Sequence, residues 1–287
     1  MGHEPDLRTE PVDAVLDRVE HGFGMHFEPT TVIRKRRSVG GATDRGTWVR
    51  IERRPRSRID GQGWNGIEAA AALEGIRQPR WIAGMSWRDA EVSAMWRADE
   101  TELVAAAPVK SGGRLTVDPM LPDAWWTTLN TSLNSLAVQE TTRVATPDTM
   151  TITQDGVRRT ICETFGLSIG TVDEWVPAHA DLNWANVTAP DCWVLDWEDW
   201  GLAPRGFDSA TLWVDSLAVP TLAARAWYER RADLESKDGR LMILFNLAKV
   251  IEYGPDDPLH EPARRTAVSV IDELQLRPWT RARRASR

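Results

Sequence analysis

The chain is predicted to be an α+β protein of two unequal lobes: a small antiparallel β-sheet lobe over residues 1–109 and a larger, mainly helical lobe over residues 110–287. Two observations predict this division. The 287 residues exceed one ordinary domain and suit lobes of roughly 100 and 190 residues sharing a cleft. β-prone runs broken by glycine-containing turns fill the first part, whereas helical periodicity governs the second beyond Pro119.

In chain order, Asp13 to His21 has the spacing of a short amphipathic helix. Thr31 to Ser38 and Thr47 to Arg53 are strands by composition, with Gly40 to Gly46 as their connection. After the turn-rich Ser57 to Gly63 comes a run of strong helix formers, Ile67 to Glu74. Glu91 to Trp96 and Glu102 to Val109 are expected to complete the small sheet. Ala105 to Val109, leading into Gly112 and Gly113, suits an inter-lobe hinge whose backbone could bind the edge of a base. In the second lobe, Trp125, Trp126, Leu129, Leu133 and Leu136 fall at helical spacing and are expected to be core. Further helices are expected at Val157 to Phe165, Ser209 to Leu217, Thr221 to Leu234, Gly239 to Ile251 and Pro262 to Leu274. The basic Arg277 to Arg287 closes the chain.

The segment that carries chemistry runs from Glu174 to Glu198. Glu174-Trp175-Val176-Pro177 is a short extended run entering a turn, and Cys192-Trp193-Val194-Leu195 is an apolar, β-prone run ending at Asp196. Between them His179, Asp181, Leu182 and Asn186 fit the H-x-D-L-x-x-x-N loop of phosphoryl-transfer enzymes, with Asp196 ten residues beyond Asn186. In that pattern Asp181 accepts the proton of the acceptor hydroxyl. Asn186 and Asp196 supply the hard oxygen ligands that Mg²⁺ on a nucleoside triphosphate requires. His179 is read as a brace for the loop, since Asp181 already stands where a base is needed.

These residues resemble the aminoglycoside phosphotransferase family, small-molecule relatives of the protein kinases. That family favours a small residue between the His and the Asp, here Ala180, and sets its metal-binding Asp in an L/I-D-W/F-E context, here Leu195-Asp196-Trp197-Glu198. The run Gly201 to Asp208 is similar to the family's approach to its next helix, where an Asp commonly braces the loop. The resemblance is close from about Trp175 to Leu217 and weak in detail before Pro119. It implies a protein-kinase-like fold, ATP or GTP and Mg²⁺ as cofactors, and an antibiotic such as an aminoglycoside as acceptor.

A lobe of that kind needs a strand cation for the triphosphate, paired with a carboxylate on the following helix. Only four lysines are present, and Arg50 with Glu68 fits best, ahead of Arg53 or Lys35. An arginine there departs from the usual lysine, although its planar fork can grip phosphate bidentately. Two glycine-containing stretches could cover the phosphates, one with Gly40 and Gly41 and one from His21 to Met25. Neither is a G-x-G-x-x-G or a Walker A sequence. Ala107 and Val109 are the hinge candidates for the base.

Composition bounds the rest. Hydrophobic residues make up 42% and there are fifteen Trp, which supports a sizeable core. No apolar run reaches the ~20 residues that span a bilayer, and the first residues lack a basic and apolar leader, so a soluble cytoplasmic chain, monomer or homodimer, is expected. Cys162 and Cys192 have neither CxxC spacing nor a His cluster and are expected as buried free thiols. The net charge of −7 argues against nucleic acid.

Charge is uneven: Arg34 to Arg58 holds ten basic side chains against Asp44 and Glu52, whereas Asp173 to Asp257 holds sixteen acidic and seven basic. An acidic wall of Asp208, Asp215, Glu252, Asp256 and Asp257 would attract a cationic acceptor. Two alternatives stay open at this point. One is a housekeeping kinase of an amino alcohol, sugar or nucleoside, and the other a catalytically silent nucleotide-binding protein that keeps the fold.

Overall fold

The computed structural model describes residues 6–59, 62–111, 114–147, 150–275 and 277–278. Gly112 and Gly113, expected at the hinge, lie outside these residues, as does nearly all of the basic segment from Arg277 to Arg287. The chain forms two compact units, one of residues 1–73, 78–107 and 195–198, the other of residues 74–77, 108–194 and 199–287.

The first unit is built on five antiparallel strands in the order β1-β2-β3-β5-β4: β1 Ile33–Arg34, β2 Ser38–Ala42, β3 Thr47–Pro55, β4 Trp81–Arg88 and β5 Ala94–Glu102. Alternation along a strand gives the sheet two faces. Val39, Val49, Ile51, Trp87, Trp96 and Ala98 point to one and pack with Leu7, Val12, Val19, Met25 and Phe27. Helix α1, Asp13–Phe23, lies in that cluster and ends where Gly24 takes φ +66 and donates its N–H to the Glu20 carbonyl. The opposite face carries Arg50, Glu52 and Arg54 on β3, with Arg97 and Asp99 as their cross-strand neighbours on β5.

Several expected elements shift. In place of strands at Glu91–Trp96 and Glu102–Val109 the sheet has β4 and β5, and the alternating pattern of β4 is broken in the sequence at Gly84, where a Cβ would crowd the Asp99, Trp81 and Arg97 side chains at 3.1–3.2 Å. Gly40 and Gly41 are not in a loop. They belong to β2, paired with Arg50 and Val49, and a Cβ on Gly40 would stand 2.7 Å from the Val49 carbonyl oxygen. The connection is the turn of Thr43 to Gly46, closed by the Gly46 N–H on the Thr43 carbonyl. The alanine-rich helix expected to Glu74 shrinks to α2, Gly66–Ala70, in which only Gly66 and Ala70 are buried. Propensity without an apolar face does not sustain a longer helix.

The second unit is helical: α3 Asp123–Ala137, α4 Gln154–Phe165, α5 Phe207–Val214, α6 Pro220–Leu234, α7 Lys237–Glu252 and α8 His260–Leu274. Caps mark several ends, as where the Thr153 side chain accepts the Gly156 N–H and the Ser236 side chain accepts that of Gly239. Val157, Ile161, Phe207, Ala210, Leu241, Leu244, Leu247 and Ala263 form the core of these helices. A two-stranded hairpin-like pair, Trp175–Ala178 with Gly201–Pro204, frames the segment between them. The strand expected at Cys192–Leu195 reduces to a single bridge, Val187 with Val194. Among the described residues no helix is long and apolar enough to cross a membrane.

Candidate active site

In the second unit, the strand Trp175–Ala178 delivers the chain into the His179–Asn186 loop. Ala180 takes φ +69, a left-handed conformation that costs a non-glycine residue energy and that the surroundings must enforce. The enforcing group is Asp208 in the first turn of α5. Its carboxylate, 7% exposed, accepts the His179 N–H at 2.6 Å and the Ala180 N–H at 2.8 Å. Burial pushes the Asp208 carboxyl up, opposed by His179 and these two N–H donors. Asp208 therefore braces the loop and does not belong to a substrate wall.

The loop then turns on its own side chains. The Asp181 N–H donates to His179 Nδ1 at 3.3 Å, so the fully buried imidazole serves as an acceptor within the turn. Asn183 Nδ2 donates to Asp181 Oδ1 at 3.0 Å and Asn186 Nδ2 donates to Asp181 Oδ2 at 2.8 Å. Both carboxylate oxygens are thus held by amides, which fixes the orientation of this half-buried carboxylate. With its nitrogen turned to Asp181, Asn186 has its amide oxygen free to face a cation.

Below the loop lies an aromatic support that the motif alone does not announce. Trp184, 1% exposed, stacks with Trp125 at 6.0 Å and meets Trp126 edge-on at 6.1 Å. Its Nε1 donates to Ser216 Oγ at 3.1 Å, while Trp125 Nε1 donates to the Thr188 carbonyl at 2.7 Å. The α3 tryptophans are core, as their spacing predicts, and this core is the floor of the His179–Asn186 loop.

The first unit holds the other candidates. Asp196 sits at φ +64, and its Oδ1 is buried with no hydrogen-bond partner. A buried carboxylate oxygen without a donor calls for a ligand, and a hard cation suits it. Among the described residues there is no group of three His, Cys, Asp or Glu that could hold a metal ion. On β3, Arg50 Nη1 pairs with Glu198 Oε2 at 2.9 Å and Glu52 Oε2 at 3.3 Å. The expected Arg50–Glu68 pair does not form, because Glu68 lies against Arg97 at 3.0 Å. Burial opposes the Arg50 charge, but Glu198, Asp196 and Glu52 outweigh it and hold the guanidinium firmly protonated. Burial likewise works against the Glu198 charge, and Arg50 and Arg54 overcome it, keeping this carboxyl below its usual range.

Other candidates move. Arg53 points to the opposite face of β3, against Glu10 and Asp89. The Val109 N–H is already committed to the Val187 carbonyl at 2.8 Å, so this donor is not open to a base, while Ala107 is exposed. Asp215 and Asp257 both grip Arg114, at 2.9 Å each, and are not free carboxylates. Glu252 and Asp256 are exposed near the end of α7.

The sequence matches no family model and no curated protein. The fold does match solved structures. Aminoglycoside phosphotransferase APH(4)-Ia superposes with a TM-score of 0.58 at 12% identity, over 92% of this chain and 99% of that one. The GDP and kanamycin complex of APH(2")-IIia gives 0.51 at 10% identity, over 92% and 99%. Amicoumacin kinase hAmiN, in complex with AMP-PNP, Ca²⁺ and Ami, gives 0.50 at 12% identity, over 93% of each chain. The chain therefore has the α+β, protein-kinase-like fold of these phosphotransferases.

Proposed function

We propose that the chain is an ATP- or GTP-dependent O-phosphotransferase acting on a hydroxyl of a small molecule. The observation that carries this reading is the Asp181 carboxylate, oriented through both oxygens by Asn183 and Asn186 in a loop pinned by Asp208. A surface turn needs no such arrangement, whereas a base that must meet one proton in one direction does. The fold shared with antibiotic kinases supports the same reading.

In the reaction, the acceptor oxygen attacks the γ-phosphorus in line, its proton passes to Asp181, and the bond to the bridging oxygen breaks to release the nucleoside diphosphate. Asn186 and Asp196 are the residues that would hold Mg²⁺, whose charge offsets that of the phosphates. Arg50 contributes a second, fixed positive charge on the triphosphate. His179 holds the turn and exchanges no proton with the substrate.

For the acceptor, we infer an aminoglycoside or related cationic antibiotic. Support comes from the loop's resemblance to the antibiotic kinases and from the exposed Glu252 and Asp256. With Asp208, Asp215 and Asp257 otherwise engaged, the acidic wall is thinner than the sequence suggests, and a kinase of an amino alcohol, sugar or nucleoside would use the same machinery. The deciding experiment incubates purified protein and Mg·ATP with aminoglycosides, peptide and nucleoside antibiotics, amino alcohols, sugars and nucleosides, and reads product mass. A phosphorylated cationic antibiotic supports the proposal, and turnover confined to the metabolites overturns the antibiotic assignment. Nucleotide binding without any phosphorylated product would overturn catalysis.

A further inference from the structure

Residues 50, 52 and 54 share one face of β3, and on that face the charges close into an alternating ring. Arg50 Nη1 contacts Glu198 and Glu52. Arg54 donates from Nε to Glu52 Oε1 at 2.7 Å and from Nη2 to Glu52 Oε2 and Glu198 Oε2, each at 3.1 Å. The four side chains are between 8% and 25% exposed, a depth at which losing one partner leaves a buried charge uncompensated. Both ion pairs of Arg50 run through Nη1, which leaves the remaining edge of its fork for a bidentate grip on phosphate.

Resting on the kinase reading above, we propose that Glu198 is the positioning residue for Arg50, the phosphate-binding cation, and does the work that a helix carboxylate such as Glu68 would do. Glu68 is half exposed and held by Arg97. Glu198 lies two residues beyond Asp196, and the Asp196 charge acts on the Arg50 guanidinium, so one short segment orients the phosphate cation and presents the metal carboxylate. A second feature fixes this segment. A Cβ at Gly66, the first residue of α2, would fall 2.1 Å from the Glu198 carbonyl oxygen and 2.5 Å from its carbonyl carbon. Only glycine lets the helix start lie against the Glu198 backbone, so α2 serves the site through its closest approach and not through its acidic side chain. The sequence holds a trace of the device in the period-2 run Arg50-x-Glu52-x-Arg54 and in the Glu that closes Leu195-Asp196-Trp197-Glu198.

The test is calorimetric titration of the full chain with Mg·ATP, with ATP in excess EDTA, and with adenosine, for wild type, Glu198→Gln, Gly66→Ala and Glu68→Gln, each checked by thermal melting. Releasing Arg50 should raise Kd for Mg·ATP and for metal-free ATP by about tenfold or more, the worth of a charge-assisted hydrogen bond. Adenosine, which has no phosphate, should bind each variant as it binds wild type, and Glu68→Gln should move none of the three. Should Glu198→Gln not fold, Gly66→Ala, which keeps every charged side chain, decides on the same titrations. Equal effects on adenosine and ATP would reduce Glu198 to a structural residue, and an effect confined to Mg·ATP would make it a metal group. A wild-type chain that binds ATP alongside indifferent Glu198 and Gly66 variants overturns the clamp alone. A wild-type chain that binds no nucleotide overturns the kinase reading and the clamp with it.

Discussion

Asp181 and Asp196 are both carboxylates of the same motif, yet their surroundings differ. Amide donors engage both oxygens of Asp181, while Asp196 keeps a buried oxygen without a donor. Asp196→Ala should therefore abolish Mg²⁺-dependent nucleotide binding, read by calorimetry with and without Mg²⁺, and an unchanged Mg²⁺ dependence would move the metal elsewhere. The same contrast shows what a sequence can carry at this scale. Spacing alone points to His179, Asp181, Asn186 and Asp196 as candidates, because they fall in a short local motif. It did not single out Asn183 or the partner of Arg50, because those depend on which side chains meet across the fold. The cysteines allow a simpler check. Burial pushes the Cys192 thiol up to about 12, so at pH 8 a thiol reagent should label native protein at Cys162 alone and label both residues after unfolding.

Elements support the loop from two directions, α5 through Asp208 and α3 through its tryptophans. Trp184→Ala should cost about 3–5 kcal/mol in stability, measured by denaturant unfolding, since it empties the centre of a three-tryptophan cluster. A loss below about 1 kcal/mol would mean that the cluster does not carry the loop. Between Arg114, α5 and the segment after α7, Asp257 gives a pH dependence. Burial alone would raise its pKa, but the Arg114 hydrogen bond and the Leu259 N–H lower it. A carboxyl depressed in the folded state stabilises fully above its unfolded pKa and loses that contribution as pH falls through the folded value. Asp257→Asn should thus destabilise by about 1 kcal/mol near pH 7, and the difference should begin to shrink only below about pH 4 and disappear once pH has passed the depressed folded value. Helices were readable to within a few residues because their apolar period is regular and their caps are local. Strand bounds are hard to read where glycine sits inside a strand, as at Gly40, Gly41 and Gly84, since its tight backbone packing, closest at Gly40 with 2.7 Å to the Val49 carbonyl oxygen, leaves no pattern in the sequence.

At the scale of the molecule, part of the contrast between a basic first part and an acidic second part is taken up in local pairs. Arg50, Arg53 and Arg54 face Glu10, Glu52, Asp89 and Glu198, and Arg114 holds Asp215 and Asp257. Summed charge was legible in the sequence, but its pairing was not. Any steering of a cationic acceptor then rests on exposed groups such as Glu252 and Asp256, so acceptor KM should rise with salt as the Debye length falls from ~10 Å to ~3 Å. A KM indifferent to salt would leave no electrostatic case for a cation. The central claim is phosphoryl transfer with Asp181 as base, and the most direct measurement compares wild type with Asp181→Asn. Phosphorylated acceptor is quantified by mass at saturating Mg·ATP, and nucleotide affinity is measured in parallel. Asparagine keeps the shape but takes no proton, so kcat should fall by a factor on the order of 10²–10⁴ while Kd for Mg·ATP stays within a few-fold of wild type. Product formation by Asp181→Asn at the wild-type rate would contradict the account.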